Sequence, residues 1–191
     1  MRKLLRLLVA LCVCMLMSCS TEEDRHLVFI GDSIIARWDL EESFPSYVVE
    51  NKGISGSGIE TIANYANKYN GKDIVVMVGT NDLYDFDDST MIEYAKSYLA
   101  QIIETNAKTI YLYSILPRSF EGDSLSINQR IERLNSMIQS EAENYGNVVY
   151  IDAYSYFIAD GDINPQYSYD GLHLTPYGYE VLSKLLNSKL R

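Results

Sequence analysis

The stretch Leu27-Val28-Phe29-Ile30-Gly31-Asp32-Ser33 decides the fold. A short apolar run, mostly β-branched or aromatic, ends abruptly in a glycine, an acid and a serine. Runs of this kind form buried β-strands. Gly31 permits a tight exit. Ser33 then stands at the carboxyl end of the strand, the edge where open α/β sheets bind ligands. A helix starting there offers Ser33 unpaired N–H groups and a positive dipole end. Taken alone, Gly31-Asp32-Ser33 is better read as a helix cap, with Asp32 or Ser33 as the capping residue. Blocks further along the chain bear on whether Ser33 is a nucleophile.

Working outward, four more runs read as strands: Tyr47 to Glu50, Asp73 to Val78, Thr109 to Ile115 and Asn147 to Ile151. All are continuous apolar runs more than alternating ones, as expected of strands covered on both faces by helices. The spacers predict helices. Ser89 to Asn106 carries a 3.6-residue apolar stripe, with Ser89 as its cap. Ser126 to Tyr145 repeats the pattern, closed by Gly146 as a C′ glycine. Ile59 to Tyr69 is a further helix, and Pro176 to Leu190 the last. Such alternation gives a parallel five-stranded sheet with right-handed crossovers and helices on both faces. The 191 residues suit one domain with a sizeable core, 26–191, without internal repeats.

Charge and cysteine usage exclude several functions. The formal net charge is -10. Three of the 16 cations (Arg2, Lys3, Arg6) lie in the first 18 residues, so 13 remain against 26 acids. That balance argues against nucleic acid or an anionic membrane surface as the main partner. Cys12, Cys14 and Cys19 are all amino-terminal, so the body has no disulfide, thiol nucleophile or cysteine zinc site. Only His26 and His173 are present, which leaves no histidine cluster for zinc. Asp82, Asp85, Asp87 and Asp88 lack an EF-hand frame and read as a solvated acidic loop. No metal or other cofactor is expected.

The amino terminus reads as an address. A basic start is followed by an apolar stretch, Leu7 to Met17, too short to cross a membrane. Leu16-Met17-Ser18-Cys19 resembles a bacterial lipobox. That resemblance implies a signal peptide over residues 1–18, lipidation at Cys19, a polar tether over 19–25, and a membrane-anchored place in the cell envelope. An ordinary secretory signal with a chance cysteine is the alternative.

Three later blocks fall where chemistry could use them. Asn51-Lys52-Gly53-Ile54-Ser55-Gly56-Ser57-Gly58 follows the second strand, and its three glycines mark a loop whose backbone comes close to something. It is neither a dinucleotide fingerprint nor a P-loop, and the chain has no G-x-S-x-G elbow. Ser55 and Ser57 are rival nucleophiles, less well placed on a glycine loop. Gly79-Thr80-Asn81-Asp82 ends the third strand at the same edge as Ser33; an asparagine N–H can donate to a developing oxyanion, although an Asn-Asp turn explains it as well. Asp170-Gly171-Leu172-His173 precedes the last helix. Three residues apart in a turn, the carboxylate can fix the imidazole tautomer while the other nitrogen takes a proton from serine.

Together these four motifs resemble the four blocks of the SGNH, or GDSL-like, hydrolases, from about His26 to the carboxyl terminus. The resemblance implies a flavodoxin-like three-layer α/β/α sandwich. It implies a triad of Ser33, His173 and Asp170, and an oxyanion hole from the Ser33 N–H, the Gly56 N–H and the Asn81 side chain. Gly53 is the alternative to Gly56. Esterase activity follows from it as an expectation, with a small ester or an acetylated glycan as substrate. A lysophospholipase or thioesterase of the same fold, and a catalytically silent glycan-binding lipoprotein, are the competing readings. Trp38, Tyr84 and Arg118 are candidate substrate contacts, as are the aromatic neighbours Phe86, Tyr167 and Tyr169.

Overall fold

The computed structural model describes residues 25–85 and 88–190. The expected signal peptide, Cys19 and Phe86 lie outside the described residues. The chain runs β1 (His26–Gly31), α1 (Ser33–Ala36), α2 (Leu40–Ser43), β2 (Val48–Gly53), a 3₁₀ segment (Ile59–Tyr65) and β3 (Asp73–Met77). A second 3₁₀ segment (Thr80–Asp85), α3 (Asp88–Ile103), β4 (Thr109–Tyr113), α4 (Ile127–Ala142) and β5 (Val148–Ile151) follow. The chain closes with α5 (Tyr154–Phe157), β6 (Ile158–Ala159), β7 (Asp162–Ile163) and α6 (Pro176–Asn187).

The five long strands form one parallel sheet in the order β2-β1-β3-β4-β5. This is the flavodoxin-like order, with its switch point between β1 and β3. Alternate residues of each strand feed two cores. Val28, Ile30, Ile74, Val76, Ile110 and Leu112 pack against α3, α4 and the first 3₁₀ segment. Leu27, Phe29, Val75, Met77, Tyr111 and Tyr113 pack against α1, α2 and α6. The continuous apolar strands therefore have the cause expected of them: both faces are covered.

Register matters more here than length. Gly31 of β1 stands opposite Gly53 of β2 and Met77 of β3, so three neighbouring strands finish together. A Cβ on Gly31 would lie 2.1 Å from the Met77 carbonyl oxygen, and one on Gly53 would lie 2.2 Å from the Ala36 nitrogen. Two glycines thus let α1 settle directly on the strand ends.

Several local expectations are corrected. Ile59 to Tyr69 is not an α-helix but a seven-residue 3₁₀ segment, Ile59–Tyr65. Asn67 turns left-handed at φ 57°, and the Asn67 and Tyr69 N–H groups bond to Glu104 and Thr105 beyond α3. Gly146 is not a left-handed helix terminator. The α4 helix ends at Ala142, with the Glu143 N–H still bonded back to Gln139. Ser126 precedes α4 without a side-chain cap bond, and Ser89 lies inside α3 instead of capping it. The second strand runs on to Gly53, beyond Glu50. The β6–β7 hairpin was not expected, although its turn is Asp160-Gly161 with φ 52° and 91°. An Asp-Gly pair is a strong signal for a two-residue hairpin turn.

Candidate active site

Ser33 opens α1 immediately after β1, with Asp32 as N-cap; the Asp32 carboxylate accepts from the Ile34 N–H at 2.9 Å. The hydroxyl is therefore delivered by a strand exit and fixed by a helix start. Ser33 Oγ lies 3.2 Å from His173 Nε2. On the far side of the ring, His173 Nδ1 lies 2.7 Å from Asp170 Oδ2. The other oxygen of Asp170 accepts from the N–H groups of Leu172 (3.0 Å) and His173 (2.7 Å). This Asx-type turn sets the three-residue spacing. Burial pushes the Asp170 carboxyl up, but the His173 ring and these two backbone donors outweigh it and hold it below its usual value. With Nδ1–H given to Asp170, Nε2 faces the serine as an acceptor. His26 stands at the opposite end of β1, paired with Glu50 at 2.9 Å.

The donors on the other side of Ser33 come from two loops tied to each other. Gly56 is exposed with φ 80°, a conformation that favours glycine. Among the described residues the Ser33 and Gly56 N–H groups have no acceptor, whereas the Gly53 N–H is taken by Asn51 Oδ1 at 2.9 Å. Gly53 is therefore a packing glycine. Asn81 Nδ2 donates to the Ser57 carbonyl at 2.8 Å, which leaves its second N–H for a ligand. Ser57, one of the rival serines, is buried, and its hydroxyl bonds to the Gly31 carbonyl.

Three residues take places other than those expected. Trp38 is 3% exposed, packed among Phe29, Phe44, Tyr113 and Tyr179, with Nε1 bonded to Ser43. It packs in the core, and its margin lines the cleft between the α1–α2 turn and the start of α6. Arg118 is 2% exposed and does not face solvent. Its Nε pairs with Asp123 at 2.9 Å, and its Nη1 donates to the Thr80 carbonyl at 2.8 Å. It braces the residue before Asn81 and is not a substrate contact. Asp82 is not part of a solvated loop. It accepts from Tyr94 Oη (2.7 Å) and the Ile59 N–H (3.1 Å), and burial raises its pKa. It ties the start of the first 3₁₀ segment to the second. The Tyr84 backbone lies in that second segment, and its side chain lies outside what is described.

The sequence reading missed two asparagines on α4. Asn135 bonds both the N–H and the carbonyl of Ile115, each at 2.8 Å. Asn128 does the same for Arg118, at 2.8 and 2.7 Å. Their spacing of seven on an otherwise apolar helix face was the available signal. They hold the extended segment after β4, whose Ser119 N–H bonds to the Gly171 carbonyl at 2.8 Å. One segment thus touches both the Asn81 side and the His173 side of the site.

A family model of GDSL-like lipases and acylhydrolases matches residues 29–181. The chain belongs to the GDSL-like lipase/acylhydrolase family. Among this family's relatives, the chain is 27% identical over 182 residues to the platelet-activating factor acetylhydrolase IB subunit alpha1 of Rattus norvegicus, covering 90% of this chain and 77% of that one. It is 28% identical over 166 residues to an N-acylneuraminate cytidylyltransferase of Escherichia coli, covering 82% of this chain but spanning only 38% of that enzyme. A solved structure from Streptococcus pneumoniae, provisionally described as a platelet activating factor, superposes with a TM-score of 0.72 at 28% identity, covering 91% of this chain and 87% of that one. Family membership makes this GDSL-like protein an acylhydrolase, a hydrolase of ester bonds.

Proposed function

We propose that this protein is a serine esterase that removes short acyl groups, O-acetyl groups on a carbohydrate, through an acyl-enzyme on Ser33. One observation carries the reading: the unbroken relay from Ser33 Oγ through His173 to Asp170, at 3.2 and 2.7 Å. His173 Nε2 accepts the Ser33 proton as Oγ attacks the ester carbonyl. The tetrahedral oxyanion rests on the Ser33 N–H, the Gly56 N–H and the Asn81 amide. His173 then gives its proton to the departing alcohol, and water repeats the sequence on the acyl-enzyme. Asp170 holds the ring and stabilises the imidazolium. The acetyl preference draws on the acetylhydrolase relative. The carbohydrate follows from the expected envelope location, which rests on Cys19 as a lipidated anchor after a signal peptide over residues 1–18.

The test is hydrolysis of p-nitrophenyl acetate and octanoate by the purified protein beside Ser33→Ala, followed by acetate release from acetylated oligosaccharides. Acetyl-selective, Ser33-dependent turnover is expected. Faster octanoate cleavage supports the lipase-like alternative instead. A folded protein inactive on every ester points to a silent binder, a role that needs no such relay. Anchoring is checked separately: Cys19→Ala is expected to move the protein from the detergent phase to the aqueous phase.

A further inference from the structure

We infer that the cleft reached through Tyr169 is the subsite for the alcohol half of the ester, and that it takes a neutral oligosaccharide; this rests on the esterase reading above. The leaving oxygen receives its proton from His173, so the alcohol must sit on the imidazole side of Ser33. Among the described residues, Tyr169 is the aromatic residue whose ring stacks on that imidazole. Its ring lies 6.2 Å from the His173 ring with 21° between their planes, and it is 63% exposed. The ring covers one face of His173 and leaves the rest of its surface open to a ligand. It is nonetheless held in place: Arg37 Nη1 donates to its hydroxyl at 2.8 Å, which leaves the hydroxyl proton free for an acceptor.

Arg37 in turn lines a cleft of about 670 Å³ between the α1–α2 turn and the start of α6. The volume falls within the range of small-molecule sites. Leu174, next in sequence to His173, lines the same cleft. Its walls carry Asp39, Glu42 and Glu180 together with the half-exposed ring of Tyr177. Among the described residues the Glu42 carboxylate has no partner, while Glu180 is engaged by Lys184. Carboxylates accept hydrogen bonds from sugar hydroxyls, and tyrosine faces receive the C–H faces of sugar rings. With Glu180 paired to Lys184, Asp39 and Glu42 still outnumber the Arg37 guanidinium, a balance that disfavours an anionic glycan. Glu42 also opposes a long acyl chain, which would bury its carboxylate without a partner.

The experiment compares acetylated neutral oligosaccharides built on xylose, glucose or mannose with p-nitrophenyl acetate and p-nitrophenyl octanoate, using the full chain in detergent. Tyr169→Ala, Glu42→Ala and Tyr177→Ala are assayed beside the wild type. The ratio of kcat/KM for the best oligosaccharide to that for p-nitrophenyl acetate is expected to fall about tenfold in Tyr169→Ala, the loss of one aromatic contact. A smaller fall in the same direction is expected in the other two. If the wild type cleaves an oligosaccharide ester and all three ratios stay within about twofold of it, the cleft is not the subsite and the esterase reading stands. If the wild type cleaves p-nitrophenyl acetate but none of the oligosaccharides, the carbohydrate reading falls and the cleft with it. A loss confined to octanoate reassigns the cleft to an acyl chain and overturns the inference.

Discussion

Asn81 and Asp32 show how differently two residues beside Ser33 contribute. Asn81 spends one amide N–H on the Ser57 carbonyl, and its second is the one proposed for the oxyanion. Asn81→Ala is expected to lower kcat on p-nitrophenyl acetate by about 10²–10³, as for a single oxyanion donor; wild-type turnover would remove it from the site. Asp32 was legible only as a helix cap. Its burial pushes the carboxyl up to about 7, partly countered by the Ile34 N–H and reinforced by Asp82. The ordinary value is 3.8, so between the two the folded protein holds a proton that the unfolded chain has released. Stability from this group therefore falls as pH rises through that window. Asp32→Asn keeps an oxygen for Ile34 and is expected to flatten the decline in urea midpoint between about pH 4 and pH 7. The lowered Asp170 has the opposite sign. Its contribution is present above the ordinary carboxylate range and is lost only as pH falls through its depressed value, so it does not mask the effect.

At the scale of elements, the extended segment after β4 holds the two halves of the site in register. Asn128 and Asn135 pair its backbone as a neighbouring strand would, Arg118 reaches the Thr80 carbonyl, and Ser119 reaches Gly171. Arg118→Met leaves Asp123 buried without its cation. The expected cost is about 3–5 kcal/mol in urea denaturation, the range for breaking a buried pair. Gly171 has φ 83°, and a Cβ there would lie 2.3 Å from the Ser119 carbonyl oxygen. Gly171→Ala is therefore expected to displace the Asp170–His173 turn and cut esterase kcat more than tenfold, at a stability cost of about 1–3 kcal/mol. Unchanged kcat would mean that the turn relaxes without moving His173. Neither connection was legible in the chain. The Pro117-Arg118 pair at a strand end looked like a substrate contact because sequence alone does not tell a buried cation from an exposed one.

For the whole molecule, the strand order brings β1 and β3 side by side, and the flush ends of β2, β1 and β3 gather Ser33, the glycine loop and Asn81 at one edge. The sequence by itself determined the sheet, because both-face burial demands continuous apolar strands such as Leu27–Ile30 and Asp73–Met77. It also singled out Asp170 and His173 as a candidate pair, because the body offers few histidines and the two are close along the chain, while Ser33 was joined to them by the resemblance of the four blocks. Local signals served less well where the outcome depended on contacts from afar. Ile59–Tyr65 became a 3₁₀ segment whose first N–H is held by Asp82, and Gly146 was not needed to end α4. Only the tertiary structure decided that Trp38 belongs to the core, that Arg118 is spent on Thr80 and Asp123, and that Gly53 packs while the Gly56 N–H stays free. The physical reason is the same in each case. Composition and periodicity report what a residue prefers on average, whereas burial and hydrogen-bond partners are set by whichever distant segment the fold packs against it.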